Sequence, residues 1–316
     1  MNSIIGCAQN AFNNLCELKI NSLELIKEIS DNILANEKII LEENRKDIEI
    51  KKGFKLDFKF IKLLLNNLLN NKTLYKKKFL DKVKKEIIEY DNLGVLETFF
   101  DGNTYIFLEM AIKTLISNNA MIFISQKNYM KHTNSIIYEI IIKTLRNRKI
   151  NEDIIQLVYD IDIFKYCENN LILKKAFVVG NTDLHNTIKR VSKINTKYIP
   201  YNDCDIYIEN IENTNELENF INKNDNVLFK IYIKDSLNIN IFDDAEYVKD
   251  STEVIEKIRF DSCNYCLMLF SKDKQTKVQI SEKCKEKYIL INKLMNFDIS
   301  IGIDINEFYC KKCIIL

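Results

Sequence analysis

The sequence predicts an α/β protein: a mostly parallel sheet with helices on both faces. Three observations carry that prediction. From Leu93 onward, short apolar runs of β type alternate with stretches of helical period, the pattern of strand, crossover and strand. Parallel neighbours cannot be joined by tight hairpins, so each connection has to cross the sheet, and a helix on its face is the usual way. The 316 residues suffice for about two domains, and 47% apolar against 29% charged residues excludes a disordered or collagen-like chain.

The elements follow in order. Asn21 to about Lys46 places Ile26, Ile29, Ile33 and Ile40 at spacings of three, four and seven, with Asn21 and Glu24 set as a capping box, which predicts one amphipathic helix. A second helix is expected from about Leu56 to Asn70. The lysine-heavy stretch Lys72–Lys85 reads as a solvated helix face, because Phe79, Val83 and Ile87 recur at helical spacing beneath the charges; a phosphate-binding run is the other reading. Strands are expected at Gly94–Phe99, Ala120–Ile124, Ile154–Tyr159, Ala176–Val179, Asp205–Ile208, Val227–Ile233, Cys266–Phe270 and Tyr288–Ile291. Helices fit between them at Tyr105–Ser117, Asn134–Arg146, Asp183–Ser192, Thr214–Asn222, Thr252–Phe260 and Gln275–Lys287.

Composition narrows the partners. Lys and Arg number 46 against 45 Asp and Glu, so a net charge of +1 supplies no general attraction for nucleic acid, and no such partner is expected. The nine cysteines are an odd number scattered along the chain, and no basic segment leads into an apolar stretch at the start. A reducing, cytoplasmic location is expected. Apolar runs such as Leu63-Leu64-Leu65 are soon broken by Asn or Lys, so no transmembrane segment is expected. His132 and His185 lie far apart and join no cysteine pairs at finger spacing, so no metal site is expected.

In an open parallel sheet, ligands bind beyond the carboxyl ends of the strands, where helix N-termini present free N–H groups. The junction that fits best is Gly180-Asn181-Thr182-Asp183, after the strand ending at Val179. Gly180 permits a tight turn, Thr182 or Asp183 suits the cap of the next helix, and a nucleotide phosphate is the expected occupant. One glycine at such a turn is also ordinary, which leaves a purely structural reading open.

The run Val178–Ile188 resembles, without a gap, the Phe-Thr-Gly-Ser-Thr-Glu-Val-Gly segment of the aldehyde dehydrogenase superfamily. Neighbouring segments are similar to its gamma-glutamyl phosphate reductase branch. Glu43-Asn44-Arg45-Lys46-Asp47 matches Ala-Asn-x-Lys-Asp, Asn92-Leu93-Gly94-Val95 matches Pro-Leu-Gly-Val, and Asn119-Ala120-Met121-Ile122-Phe123 matches Asn-Ala-Val-Ile-Leu. Further on, Asp203–Glu209 matches Val-Cys-His-Val-Tyr-Val-Asp, while Tyr288–Asn292 and Ile301-Gly302-Ile303 match Val-Tyr-Val-Asn and Ile-Gly-Ile, all in the same order. The resemblance implies a Rossmann-like cofactor domain, NADP or NAD as cofactor, and NADPH-dependent reduction of glutamyl 5-phosphate to glutamate semialdehyde in proline synthesis. It also implies pairing with other subunits through sheet edges. The domains are then expected at 1–210 for the N-terminal helices and cofactor domain, 211–287 for a reduced catalytic-type domain, and 288–316 for terminal strands returning to the sheet or to a partner.

That family attacks its substrate with a cysteine thiolate and steadies the oxyanion with an Asn side chain. Asn103, in Asp101-Gly102-Asn103-Thr104, resembles that Asn, although the preceding Arg-Pro has become Asp-Gly; a helix cap is the alternative role. The nucleophile is not found. Where the family carries Arg-Pro-x-x-Cys-Asn-Ala, this chain runs from Phe220-Ile221-Asn222-Lys223-Asn224-Asp225-Asn226 straight into Val227-Leu228-Phe229, and the stretch Asp235–Asp250 is also shortened. Ile124 replaces the Lys or Arg that contacts the nucleotide ribose, and His185 replaces a Gly of the first helical turn. Cys204, Cys263 and Cys266 read as small core residues.

The expectation is therefore a degenerate relative that acts as a binding or oligomerising partner. The alternatives are an active oxidoreductase with its thiol displaced to Cys204 or Cys266, and a peripheral protein prenylated at Cys313, since Cys313-Ile314-Ile315-Leu316 has the C-a-a-X form. A terminal β-strand over the same residues is favoured over the last.

Overall fold

A computed structural model describes residues 2–18, 20–50, 52–53, 55–71, 78–81, 86–125, 128–161, 172–180, 182–200, 203–211, 214–223, 228–237, 245–260, 266–284, 288–294 and 305–315. In chain order the elements are α1 (Asn2–Glu17), α2 (Ser22–Ala35), α3 (Glu37–Glu49), α4 (Phe58–Asn70), β1 (Lys78–Asp81), β2 (Glu86–Asn92), β3 (Val95–Phe100), α5 (Thr104–Ser117), β4 (Ala120–Ser125), α6 (Lys131–Asn147), β5 (Ile155–Tyr159), β6 (Leu173–Gly180), α7 (Thr182–Val191) and β7 (Thr196–Pro200). They continue as β8 (Asp203–Ile208), α8 (Thr214–Lys223), β9 (Leu228–Lys234), β10 (Glu246–Val248), α9 (Ser251–Phe260), β11 (Cys266–Phe270), α10 (Lys274–Lys283), β12 (Tyr288–Ile291) and β13 (Tyr309–Ile315). The α/β class stands, with two five-stranded sheets and one three-stranded sheet. The chain forms two compact units: Met1–Val179 with Thr187–Ile199 and Asp298–Leu316, and Gly180–Asn186 with Pro200–Phe297.

The first unit holds the sheet β5-β4-β3-β6-β7, in which β3 runs parallel to β4 and β6, and β4 parallel to β5. The chain steps outward from β3 through β4 and β5 and then restarts on the other side at β6. The winding therefore reverses between β3 and β6, the position where such sheets open a crevice. The connecting helix α5 is buried along its whole length, as expected of a helix that is apolar on nearly every side. Its Glu109 and Lys113, one turn apart, pair with each other inside the core.

Two motif residues explain how the helices and strands lock together. The buried Asp47 of α3 accepts hydrogen bonds from the His132 N–H (3.0 Å), the Thr133 N–H (2.8 Å) and the Thr133 hydroxyl (2.6 Å). It thus caps α6 from another helix, which that helix requires because its own cap position, Met130, supplies no side-chain bond. Asn119 accepts from the N–H groups of Leu93 (2.7 Å) and Gly94 (2.9 Å) and donates to the Phe308 carbonyl (2.7 Å), tying the start of β3 to the segment before β13.

The second unit holds the sheet β10-β9-β8-β11-β12, parallel throughout, and it repeats the same winding with its reversal between β8 and β11. Alternation sorts its residues. Cys204, Ile206, Ile208, Cys266 and Met268 face one core with Leu217 of α8, whereas Tyr207, Leu267 and Leu269 face the other with Val254 and Ile258 of α9 and Ile280 of α10.

Two expectations need correction. The helix predicted over Asn21–Lys46 is two helices, broken at Asn36; Asn21 does cap the first, accepting from the Glu24 N–H. The helix predicted within Lys72–Lys85 is instead part of an antiparallel hairpin, with Phe79 opposite Ile88 and Leu80 opposite Ile87; residues 72–77 and 82–85 lie outside the described residues. Cross-strand partners, not helical neighbours, bring its apolar positions together. The residues Cys313-Ile314-Ile315 belong to β13, as the strand reading expects, with Cys313 opposite Ile88. Among the described residues, no helix is long and apolar enough to cross a membrane.

Candidate functional site

The first sheet's reversal brings the carboxyl ends of β3 and β6 side by side, with Phe100 and Val179 as register partners. Asn103 follows the first end. It is 1% exposed, and its Oδ1 accepts from the N–H groups of Tyr105 (2.9 Å) and Ile106 (3.4 Å), capping α5. An oxyanion donor would use the Nδ2 end of the same amide, opposite the oxygen that makes the cap. The Asp-Gly before it is explained locally. Gly102 has φ +102°, unreachable for proline, and a Cβ there would stand 2.3 Å from the Tyr129 carbonyl oxygen. The buried Asn134 donates to the Gly102 carbonyl and pins the loop from α6.

Gly180 closes the second end with φ +150°, and among the described residues a Cβ there would meet only Leu184, at 3.5 Å. Asn181 lies outside the described residues. Thr182 and Asp183 are the first residues of α7 and so stand within its first turn, not ahead of it as cap residues. The nucleotide that the resemblance implies fits this strand end only in part. Gly180 brings no side chain that would crowd a pyrophosphate, but Ile124 is 1% exposed on β4 between its register partners Phe99 and Val158, and it offers no charge to a ribose. The described residues therefore do not make a complete nicotinamide nucleotide site.

The thiols lie elsewhere. Cys204 and Cys266 are register partners on adjacent strands of the second sheet, 1% and 0% exposed. Burial, reinforced by the neighbouring Cys266, pushes the Cys204 thiol well above its ordinary range, the reverse of what an attacking thiolate needs. Cys263 lies outside the described residues. The strand β9 begins only four residues after α8 ends, and these four, residues 224–227, include no cysteine. Among the described residues, no group of three His, Cys, Asp or Glu is placed to hold a metal ion.

Sequence reasoning missed a row of polar residues at the carboxyl edge of the second sheet. Lys234 of β9 donates to Glu209 after β8 (2.7 Å); Ser271 after β11 donates its hydroxyl to the same carboxylate and its N–H to Asn292 after β12 (2.9 Å). Burial alone would raise the Glu209 carboxyl, but the bonds from Lys234 and Ser271 outweigh it and hold the group below its ordinary value. The visible signal was a polar residue at or just after the end of four successive parallel strands.

Comparisons with known proteins agree on the fold. No family model matches the chain, and no curated protein matches its sequence. Among solved structures, a gamma-glutamyl phosphate reductase from Thermotoga maritima superposes with a TM-score of 0.67 at 14% identity, covering 99% of this chain and 97% of the other. An acetylating aldehyde dehydrogenase from Geobacillus thermoglucosidasius gives 0.73 at 10% identity, covering 100% and 96%. An NADP-dependent glyceraldehyde-3-phosphate dehydrogenase from Bacillus halodurans, complexed with NADP, gives 0.72 at 12% identity, covering 100% and 90%. With two five-stranded sheets whose winding reverses in the same way, this chain has the fold of the aldehyde dehydrogenase superfamily, the fold of gamma-glutamyl phosphate reductase.

Proposed function

We propose that the chain is a degenerate aldehyde dehydrogenase-fold protein that works without a catalytic thiol and acts as a binding or oligomerising subunit. One observation carries the reading above the others. Only Asn224-Asp225-Asn226-Val227 separate α8 from β9, at the place where the resemblance puts the nucleophile loop, and they supply no sulfur. The buried pair Cys204 and Cys266 supports it, because a thiol closed in an apolar core neither ionises readily nor reaches a substrate. Ile124 supports the matching loss of nicotinamide binding. The expected partner is another subunit, of this chain or a related one, joined at a sheet edge that would otherwise invite aggregation.

The test is direct. Purified protein given NADPH or NADP with aldehydes or an acyl phosphate is expected to show no turnover above a protein-free blank and no saturable change in NADPH fluorescence. Turnover that thiol alkylation abolishes overturns the proposal.

A further inference from the structure

The second unit carries a cavity of about 560 Å³ at the carboxyl edge of its sheet, within the range of small-molecule sites. Its place follows from the winding. The connections from β8 and β11 leave in opposite directions, and the crevice opens beside the paired ends Ile208 and Phe270. β9 begins at Leu228 on the opposite, amino edge, so this cavity lies a full strand length from the end of β9 that follows the segment where the resemblance puts the nucleophile.

The lining has two characters. Ile211, Leu217, Phe270 and Leu294 make an apolar floor, while Lys272, Lys293 and Asn210 supply ammonium and amide groups. Among the described lining residues Glu216, in the first turn of α8, is the one carboxylate against two lysines, and the positive end of that helix adds to the balance. The wall is rigid. Asn292, at φ +50°, accepts from the Ser271 N–H and donates its own N–H to the Leu269 carbonyl (2.8 Å), and this aims the chain at Lys293 and Leu294. Glu209, Ser271 and Lys234 satisfy one another alongside, so the site is formed in advance of any ligand.

We propose that this crevice is a binding site for a small organic anion with an apolar body, an aromatic or branched phosphate ester or carboxylate. The apolar body rests on Leu217 and Phe270 and the charge meets Lys272 and Lys293. The inference does not depend on the loss of thiol chemistry at the other edge.

Calorimetric titration of the full chain with phenyl phosphate, inorganic phosphate and phenol tests it. Phenyl phosphate is expected to bind saturably and more tightly than either of the others. Lys293→Glu, an exposed substitution that leaves the core alone, is expected to weaken it by about tenfold or more, and Leu217→Trp, which fills the floor, to abolish it. Absence of saturable binding, equal binding of inorganic phosphate, or equal binding by wild type and Lys293→Glu overturns the proposal.

Discussion

Glu97 sits on the central strand β3 between Ile122 and Ala176, fully buried, and among the described residues neither of its carboxylate oxygens has a hydrogen-bond partner. Burial pushes its carboxyl up to about 8, so the folded chain holds it protonated at neutral pH. The unfolded chain ionises it near 4.5. Its contribution to stability is therefore fully present below 4.5, declines as the pH rises toward 8, and levels off above that, for a total of about 5 kcal/mol. Urea unfolding from pH 5 to 9 is expected to show this decline in wild type and to show little of it in Glu97→Leu. Parallel profiles for the two proteins would exclude the account.

At the scale of the element, Asp47 makes a sharper claim than its motif does. It holds α3 to α6 through three donors, two of them on the buried Thr133. Asp47→Ala is expected to cost about 2–4 kcal/mol, Asp47→Asn clearly less, and the loss should appear as faster amide exchange in the first turn of α6. Unchanged exchange there would mean that the cap is idle. The elements most legible in the sequence were those whose deciding contacts are local: the cap at Asn21, the cap at Asn103 and the runs that became β4 and β11. The break at Asn36 was hidden because Ile33 and Ile40 keep a spacing of seven across it, and both are fully buried. The hairpin β1 and β2 was hidden for the opposite reason. Its deciding neighbour, β13, is remote in sequence, so a local period carried no trace of the pairing.

For the molecule as a whole, order proved more informative than any one motif. Segments matched by only a few residues kept the order of a family whose fold this chain shares, and identities of 10–14% with the solved relatives explain why each looked weak alone. The anion crevice stayed illegible because Asn210, Phe270 and Lys293 come from three separate strand ends that only the winding of the sheet brings together. The three-stranded sheet shows the same dependence on distance, since β2 pairs on one side with β1 and on the other with β13, Asn92 opposite Tyr309. A chain ending at Phe308 is expected to self-associate beyond the state of the full chain, read by light scattering; an unchanged profile would show that β13 does not guard that edge. More than two hundred residues separate the two strands, and a ribosome adding five to twenty per second takes about ten to forty seconds to make them. Throughout that interval the nascent hairpin has one bare flank, open to pairing with another chain.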